Sequence, residues 1–292
     1  MKQILKKILL FGSAIAIFTA CGDGTSSGVS SNGTLVKGEF TVARGKKVYF
    51  SRGNLQYQAS TGTWRFAEHQ WDMIGENNEN ISSDYDGWID LFGWGTSGYN
   101  GKYPYMTSIE NTDYGDGMND IAVTDYDWGV YNKILNGGNK AGLWRTLTYS
   151  EWRYILNDRP HCENLYSKGC VDGINGLILL PDEWNYSIGF SPRSEKFKTN
   201  DYTLEEWSIM ESHGAVFLPT AGNRHSNNSG TYVYNVGFSG DYWSSSANYG
   251  HSYYLFFCRD DIYTISPDGV YVLGVGGERG FGMSVRLVQD VK

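Results

Sequence analysis

Basic residues, histidine and cysteine are all scarce in this chain, and each shortage narrows what the protein does. Lysine and arginine number 24 against 32 acidic residues, for a formal net charge of −8. Phosphate backbones are bound through clustered Lys and Arg, so nucleic acid is not an expected partner. The five histidines (His69, His161, His213, His225 and His251) are scattered with neither metal-ligand nor triad spacing and read as surface or internally satisfied side chains. Cys21 aside, three cysteines remain, Cys162, Cys170 and Cys258, an odd count that leaves one thiol over. Cys162 and Cys170 stand close enough in sequence to close a small loop and are equally readable as two thiols. His161 is the only further nitrogen or sulfur ligand beside them, so zinc is not expected. Beyond residue 20 no apolar run approaches the ~20 residues that a membrane-spanning helix needs.

Catalytic signatures are missing as well. Gly237-Phe238-Ser239-Gly240-Asp241 lacks the closing glycine of a nucleophile elbow and runs into a strand. In Gly274-Val275-Gly276-Gly277-Glu278-Arg279-Gly280, Arg279 stands where a dinucleotide loop needs its third glycine and no helix start follows, so the stretch reads as a flexible turn. Asp84-Tyr85-Asp86-Gly87 with Asp90, and the acids at 113, 116 and 120, are oxygen-rich without the full loop and closing Glu of a calcium site. The expectation is a chain with no cofactor, no metal and no enzymatic activity.

What is present begins at the N-terminus. Lys2, Lys6 and Lys7 precede an apolar stretch, Ile8 to Ala20, too short to span a bilayer comfortably, which reads as a signal peptide over residues 1–20. Without its three lysines the remaining chain would carry −11. Gly22 to Gly33 is nearly all Gly, Ser, Thr, Asn and Asp, so 21–36 is expected to be a flexible tether that buries no core. Residues 37–292 then suffice for one large domain, with no visible linker to divide them.

Within that domain, Lys46 to Phe50, Asn54 to Gln58 and Thr63 to Phe66 read as a meander of short strands. Thr148-x-x-Glu151 and Thr203-x-x-Glu206 have capping-box spacing and start two helices, the first burying Trp152, Ile155 and Leu156, the second Leu204, Trp207 and Met210. Asp127 caps a shorter turn, and Gly176 to Leu180 and Ala215 to Leu218 are short buried strands. Many short strands with two or three helices and no alternating rhythm make an α+β class.

The last fifty residues differ in composition. Between Tyr242-Trp243-Ser244-Ser245-Ser246 and Gly282-Met283-Ser284-Val285-Arg286-Leu287-Val288, aromatic residues crowd together with Gly, Ser, Asn and Asp, the mixture that recognition surfaces use because Tyr gives large contact area at low entropy cost. If Tyr253 to Cys258 is a strand, Leu255 and Phe257 face the core while Tyr254, Phe256 and Cys258 face outward, or both faces are buried in a sandwich.

These flanks, with Leu147-Thr148-Tyr149-Ser150-Glu151-Trp152 and Phe217-Leu218-Pro219-Thr220-Ala221-Gly222-Asn223-Arg224, resemble C-type-lectin-fold variable proteins of diversity-generating retroelements, in the branch related to formylglycine-generating enzymes. The resemblance runs from about Gly38 to Val288 and implies a C-type-lectin-like fold whose C-terminal segment, 241–283, binds a ligand. It departs from the enzymes, since Cys258 stands alone where they use a cysteine pair to hold copper, and from animal lectins, whose sugar-binding calcium signature is absent. By this resemblance Asp241, Tyr249, His251, Tyr254, Phe256, Cys258, Arg259, Asp260, Tyr263 and Phe281 are the candidate ligand-binding positions, rewritten through adenine-directed codon changes. Trp243, Ser244 to Ser246, Leu255, Phe257 and Ser284 to Val288 are the frame, and an exposed Cys258 fits random codon change. Phe18-Thr19-Ala20-Cys21 resembles a bacterial lipobox, with Phe18 in place of the usual aliphatic, and implies acylation at Cys21. The expectation is an exported lipoprotein on the outer membrane and cell surface, binding a protein or glycan on another cell, a phage or a host. A fixed-specificity adhesin or glycan-binding module is the alternative, followed by an enzyme related to formylglycine-generating enzymes.

Overall fold

The computed structural model describes residues 35–107, 113–185, 189–258, 270–273 and 277–292. In chain order its elements are β1 (Phe40–Ala43), β2 (Lys46–Phe50), β3 (Leu55–Gln58), β4 (Thr63–Phe66), α1 (Trp128–Tyr131), β5 (Arg145–Thr146) and α2 (Tyr149–Arg153). There follow β6 (Tyr166–Val171), β7 (Ile174–Leu179), β8 (Asp201–Tyr202), α3 (Leu204–Ser212) and β9 (Val216–Pro219). The C-terminal part holds β10 (Asn223–Asn227), β11 (Gly230–Tyr234), β12 (Ser239–Asn248), β13 (His251–Cys258), β14 (Val270–Leu273) and β15 (Leu287–Asp290). This is the mixed α+β class expected from the sequence.

Caps start the helices as read. The Asp127 carboxylate accepts from Gly129 N–H at the head of α1. Both Thr148 and Thr203 form reciprocal capping boxes with the Glu three residues on. After α2 the chain widens into one π-helical turn, Tyr154–Asp158, which carries Ile155 and Leu156 into the core. In α3 Trp207 and Met210 are fully buried, but Leu204, expected on the same face, is 44% exposed. The buried stripe is a single i, i+3 step, and the first turn lies outside it.

Three sheets and two hairpins surround the core. The order β1-β2-β15-β5 places the last strand between two early ones, with Val288 opposite Phe50 and Arg145. A second sheet runs β8-β6-β7-β9 and a third β12-β13-β14, while β3-β4 and β10-β11 form separate pairs. The three strands of the expected meander all form, but only β3 and β4 pair with each other. β2 pairs with β1 and β15 rather than β3, because the C-terminal chain enters between them: Ser51 N–H donates to Leu287 O at 2.9 Å and Leu55 N–H to Val285 O at 2.9 Å. A partner more than two hundred residues away is invisible to a local reading. Val36, placed in the tether by sequence, is instead buried and its N–H donates to Phe50 O at 3.0 Å; residues 21–34 lie outside the described residues.

Arg286 holds these parts together from inside. It is 1% exposed, and its guanidinium donates to Asn54 Oδ1 and to the carbonyls of Ser51, Arg52, Gln70 and Phe217 at 2.8–3.3 Å. Every N–H of the fork meets an acceptor. Arg279, read as part of a flexible turn, is instead buried with its guanidinium carbon 4.3 Å from the Trp94 ring centroid. Cys162 and Cys170 are both buried thiols, not joined to one another.

Candidate ligand-binding groove

β12 and β13 pair with Asp241 opposite Phe256 and Trp243 opposite Tyr254. Strand alternation sends Tyr242, Leu255 and Phe257 into the core, all of them fully buried, and turns Asp241, Tyr254 and Phe256 to the other side. Gly240 permits this packing, because a Cβ there would meet the Phe257 ring at 2.1 Å. Beside this face the chain from Phe281 to Ser284 is stitched in residue by residue. Gly282 exchanges both backbone hydrogen bonds with Arg224 at 2.8 Å, Met283 with Phe92, and Ser284 N–H donates to Asp241 O at 2.9 Å. A Cβ on Gly282 would come within 2.9 Å of the Arg224 side chain, so this close passage needs glycine.

Between β10, β11, β12, β13 and this segment opens a groove of about 500 Å³. Asp241, Tyr254, Phe256 and Phe281 line it, so four of the ten sequence-predicted positions come together. Asn223, His225, Tyr234 and Met283, which sequence reasoning did not place in the site, are also among its lining residues. The rings are mutually braced. His225 stacks on Phe281 with centroids 3.7 Å apart and meets Tyr234 edge-on at 5.4 Å. Tyr254 lies edge-on between Trp243 at 6.0 Å and Phe256 at 6.5 Å.

Asp241 is 3% exposed, and both of its hydrogen bonds, from Ser239 Oγ at 2.8 Å and Asn223 Nδ2 at 3.3 Å, fall on Oδ2. Burial pushes its pKa up to about 6 against the lowering effect of those two donors. Tyr254 is pushed up to about 12, by burial first and by the Asp241 charge second. His225 is held below its ordinary value by burial. At neutral pH the groove therefore carries one carboxylate, neutral imidazole and neutral phenol. It is a rigid aromatic cleft with an acidic floor, suited to binding.

The other predicted positions lie elsewhere. Tyr249 forms the tip of the β12-β13 hairpin, 90% exposed with φ 44°, and His251 follows it on the surface. Cys258 corrects the expectation of an outward thiol: it is 3% exposed, opposite the buried Ser239 where the pair begins. A small apolar thiol is readily buried, so random codon change is no longer needed to account for it. Arg259, Asp260 and Tyr263 lie outside the described residues. The oxygen-rich loops are used internally: Asp90 accepts from Ile74 N–H and Asn78 Nδ2, both at 2.8 Å, and Asp120 from Ala247 N–H at 2.7 Å. Among the described residues no three His, Cys, Asp or Glu side chains group as metal ligands.

A signal for the missed β10-β11 hairpin exists in Asn227-Asn228-Ser229-Gly230, turn residues between the alternating His225 and Tyr232-Tyr234. No protein family, curated protein or solved structure matches the chain.

Proposed function

We propose that this protein is an exported, lipid-anchored binding protein of the bacterial surface whose C-terminal groove captures a ligand displayed on another surface. In this reading the fold is C-type-lectin-like, Cys21 carries the lipid, and the groove positions belong to a segment rewritten by a retroelement. One observation carries it. Residues singled out for recognition, Asp241, Tyr254, Phe256 and Phe281, share one groove, while the frame residues Trp243, Ser244 to Ser246, Leu255, Phe257 and Ser284 to Val288 are buried. Groove-lining aromatics over a buried frame suit a diversified binder. Hot-spot binding energy resides in such partly enclosed aromatic anchors.

Sequencing the 3′ end of the gene across a bacterial population tests diversification. Substitutions concentrated at groove-lining positions, with the frame constant and a near-copy of the segment beside a reverse transcriptase, are expected. A uniform 3′ end without a template copy would leave a fixed adhesin. Binding itself is tested on arrays of surface proteins and glycans: Tyr254→Ala with Phe256→Ala should abolish capture with a melting temperature within a few degrees of the parent. A collapse of melting temperature would show the two rings to be core.

A further inference from the structure

The polar chemistry of the groove floor is one-sided. Asp241 Oδ1 accepts no hydrogen bond from any described residue, and Asn223 Oδ1 is buried without a partner. The donors beside them are already committed, since Ser239 Oγ and Asn223 Nδ2 both point at Asp241 Oδ2. A buried acceptor left unmet costs about 1–3 kcal/mol. That cost falls on Asn223 Oδ1, and the polar atoms lining the floor offer acceptors but no uncommitted donor, since the orphaned Arg224 Nη1 on the same strand is outside the lining.

We propose that the groove seats a cationic N–H-bearing group, an ammonium or guanidinium such as a lysine or arginine side chain of a protein ligand, on Asp241 between the aromatic walls. The inference rests on the reading of this groove as the binding site. Ammonium and guanidinium carry several N–H donors, a positive charge and no acceptor, so they can meet both Asp241 Oδ1 and the orphaned Asn223 Oδ1 and leave no acceptor facing an acceptor. The rings of Tyr254, Phe281 and His225 line the same space, and aromatic rings attract cations. No Lys or Arg is among the described residues that line the groove. Arg224, on the same strand as Asn223 and His225, is 1% exposed and directs Nη2 to Met106 O at 3.2 Å. The net charge of −8 draws cations toward the chain as a whole. An anion would meet the Asp241 carboxylate, and a neutral sugar brings as many acceptors as donors.

The test is an NMR titration of the full chain at pH 7.5 with n-butylammonium and with methylguanidinium, methyl glucoside and acetate serving as neutral and anionic comparisons. Both cations are expected to shift the Tyr254 and Phe281 ring resonances saturably, with dissociation constants of about 1 mM as befits ligands of so few atoms. Asp241→Asn should weaken them at least about tenfold, a change of about 1.4 kcal/mol. Wild type supplies the independent arm. Titratable groups around Asp241 are His225 on β10, Tyr234 on β11, Tyr254 on β13 and Glu278 ahead of Phe281. Acid protonates Asp241 and charges His225, and both changes weaken cation binding, so affinity should fall below about pH 6. Absence of saturable shifts with both cations, or shifts undiminished in Asp241→Asn and unchanged at pH 5, overturns the proposal. Methyl glucoside shifting the same rings in place of the cations overturns it too, while leaving the groove as the binding site.

Discussion

Arg286 takes a full charge into the core with no carboxylate in a salt bridge to it among the described residues, and burial lowers its pKa to about 10 without neutralising it. Its stabilising role comes from the five acceptors it satisfies. Lysine has three N–H donors on a point-like head and cannot reproduce the planar fork. Arg286→Lys should therefore destabilise the fold by about 2–4 kcal/mol, read from urea denaturation. An unchanged midpoint would show that these bonds are dispensable. Asp241 is the opposite case, a buried acid whose ionisation works against folding. Its folded pKa of about 6 exceeds the ordinary 3.8, so its favourable contribution is complete below about pH 4 and is lost as pH rises through 6. Asp241→Asn should raise stability by up to about 3 kcal/mol at pH 7.5 and by little at pH 4. A group that weakens the fold at neutral pH while lining a groove fits a role in binding.

At the scale of elements, the start of α2 is tied to three strands through one carboxylate. Glu151 closes the capping box on Thr148 N–H and also pairs with Arg145 at 2.7 Å and Lys46 at 2.9 Å, and Arg145 continues to Asp290 at 2.7 Å. The helix start is thereby tied to β2, β5 and β15. Burial alone would raise the Glu151 pKa, but the Arg145 contacts, with help from Thr148 and Lys46, bring it below the ordinary value. Thr148→Ala should cost about 1 kcal/mol, the usual worth of a cap. Glu151→Gln should cost more, because Arg145 then loses a partner at 12% side-chain exposure. Equal losses in thermal melts would confine Glu151 to capping.

These caps were legible in the sequence because their chemistry is complete within four residues. The alternation in Tyr253 to Cys258 was legible for the same reason and located Leu255 and Phe257 correctly. The connection of β2 to β15 was not, since the strand that replaces the expected neighbour is more than two hundred residues distant. Nor was His225, whose hairpin has little buried apolar surface to mark it and whose partner Phe281 is remote in sequence. Cys258 shows the limit of alternation: it gives the face on which a side chain lies, not what covers that face.

For the whole molecule, buried acids set the pH response. Asp90, Asp127 and Asp241 each have a pKa raised by burial to about 6, so all three favour the fold as pH falls toward 4. Glu151 and Asp290 are lowered on balance, so their contribution is present above the ordinary carboxylate values of 4.5 and 3.8 and is lost as pH falls below them. The melting temperature should accordingly peak near pH 5, decline toward pH 8 and drop steeply below pH 4. A monotonic rise from pH 5 to 8 would contradict the assignment of the three aspartates. On the cellular side, Cys21→Ser should move the protein from the membrane fraction to the soluble exported one if the lipid is its anchor.

The interior position of β15 has a consequence for biosynthesis. It lies in the middle of a sheet begun by β1 and β2, and the Arg286 just before it holds Ser51, Arg52, Gln70 and Phe217 together. A ribosome that has made everything up to Met283 has made a chain whose first sheet still lacks an inner strand. Folding must wait for the final residues, as for any topology dominated by distant pairings. A frameshift or stop codon anywhere between Asp241 and Met283 deletes that strand along with whatever it alters locally. Frame errors in the groove-forming stretch are thus converted into failure to fold, and a chain that folds has been read in frame through β15.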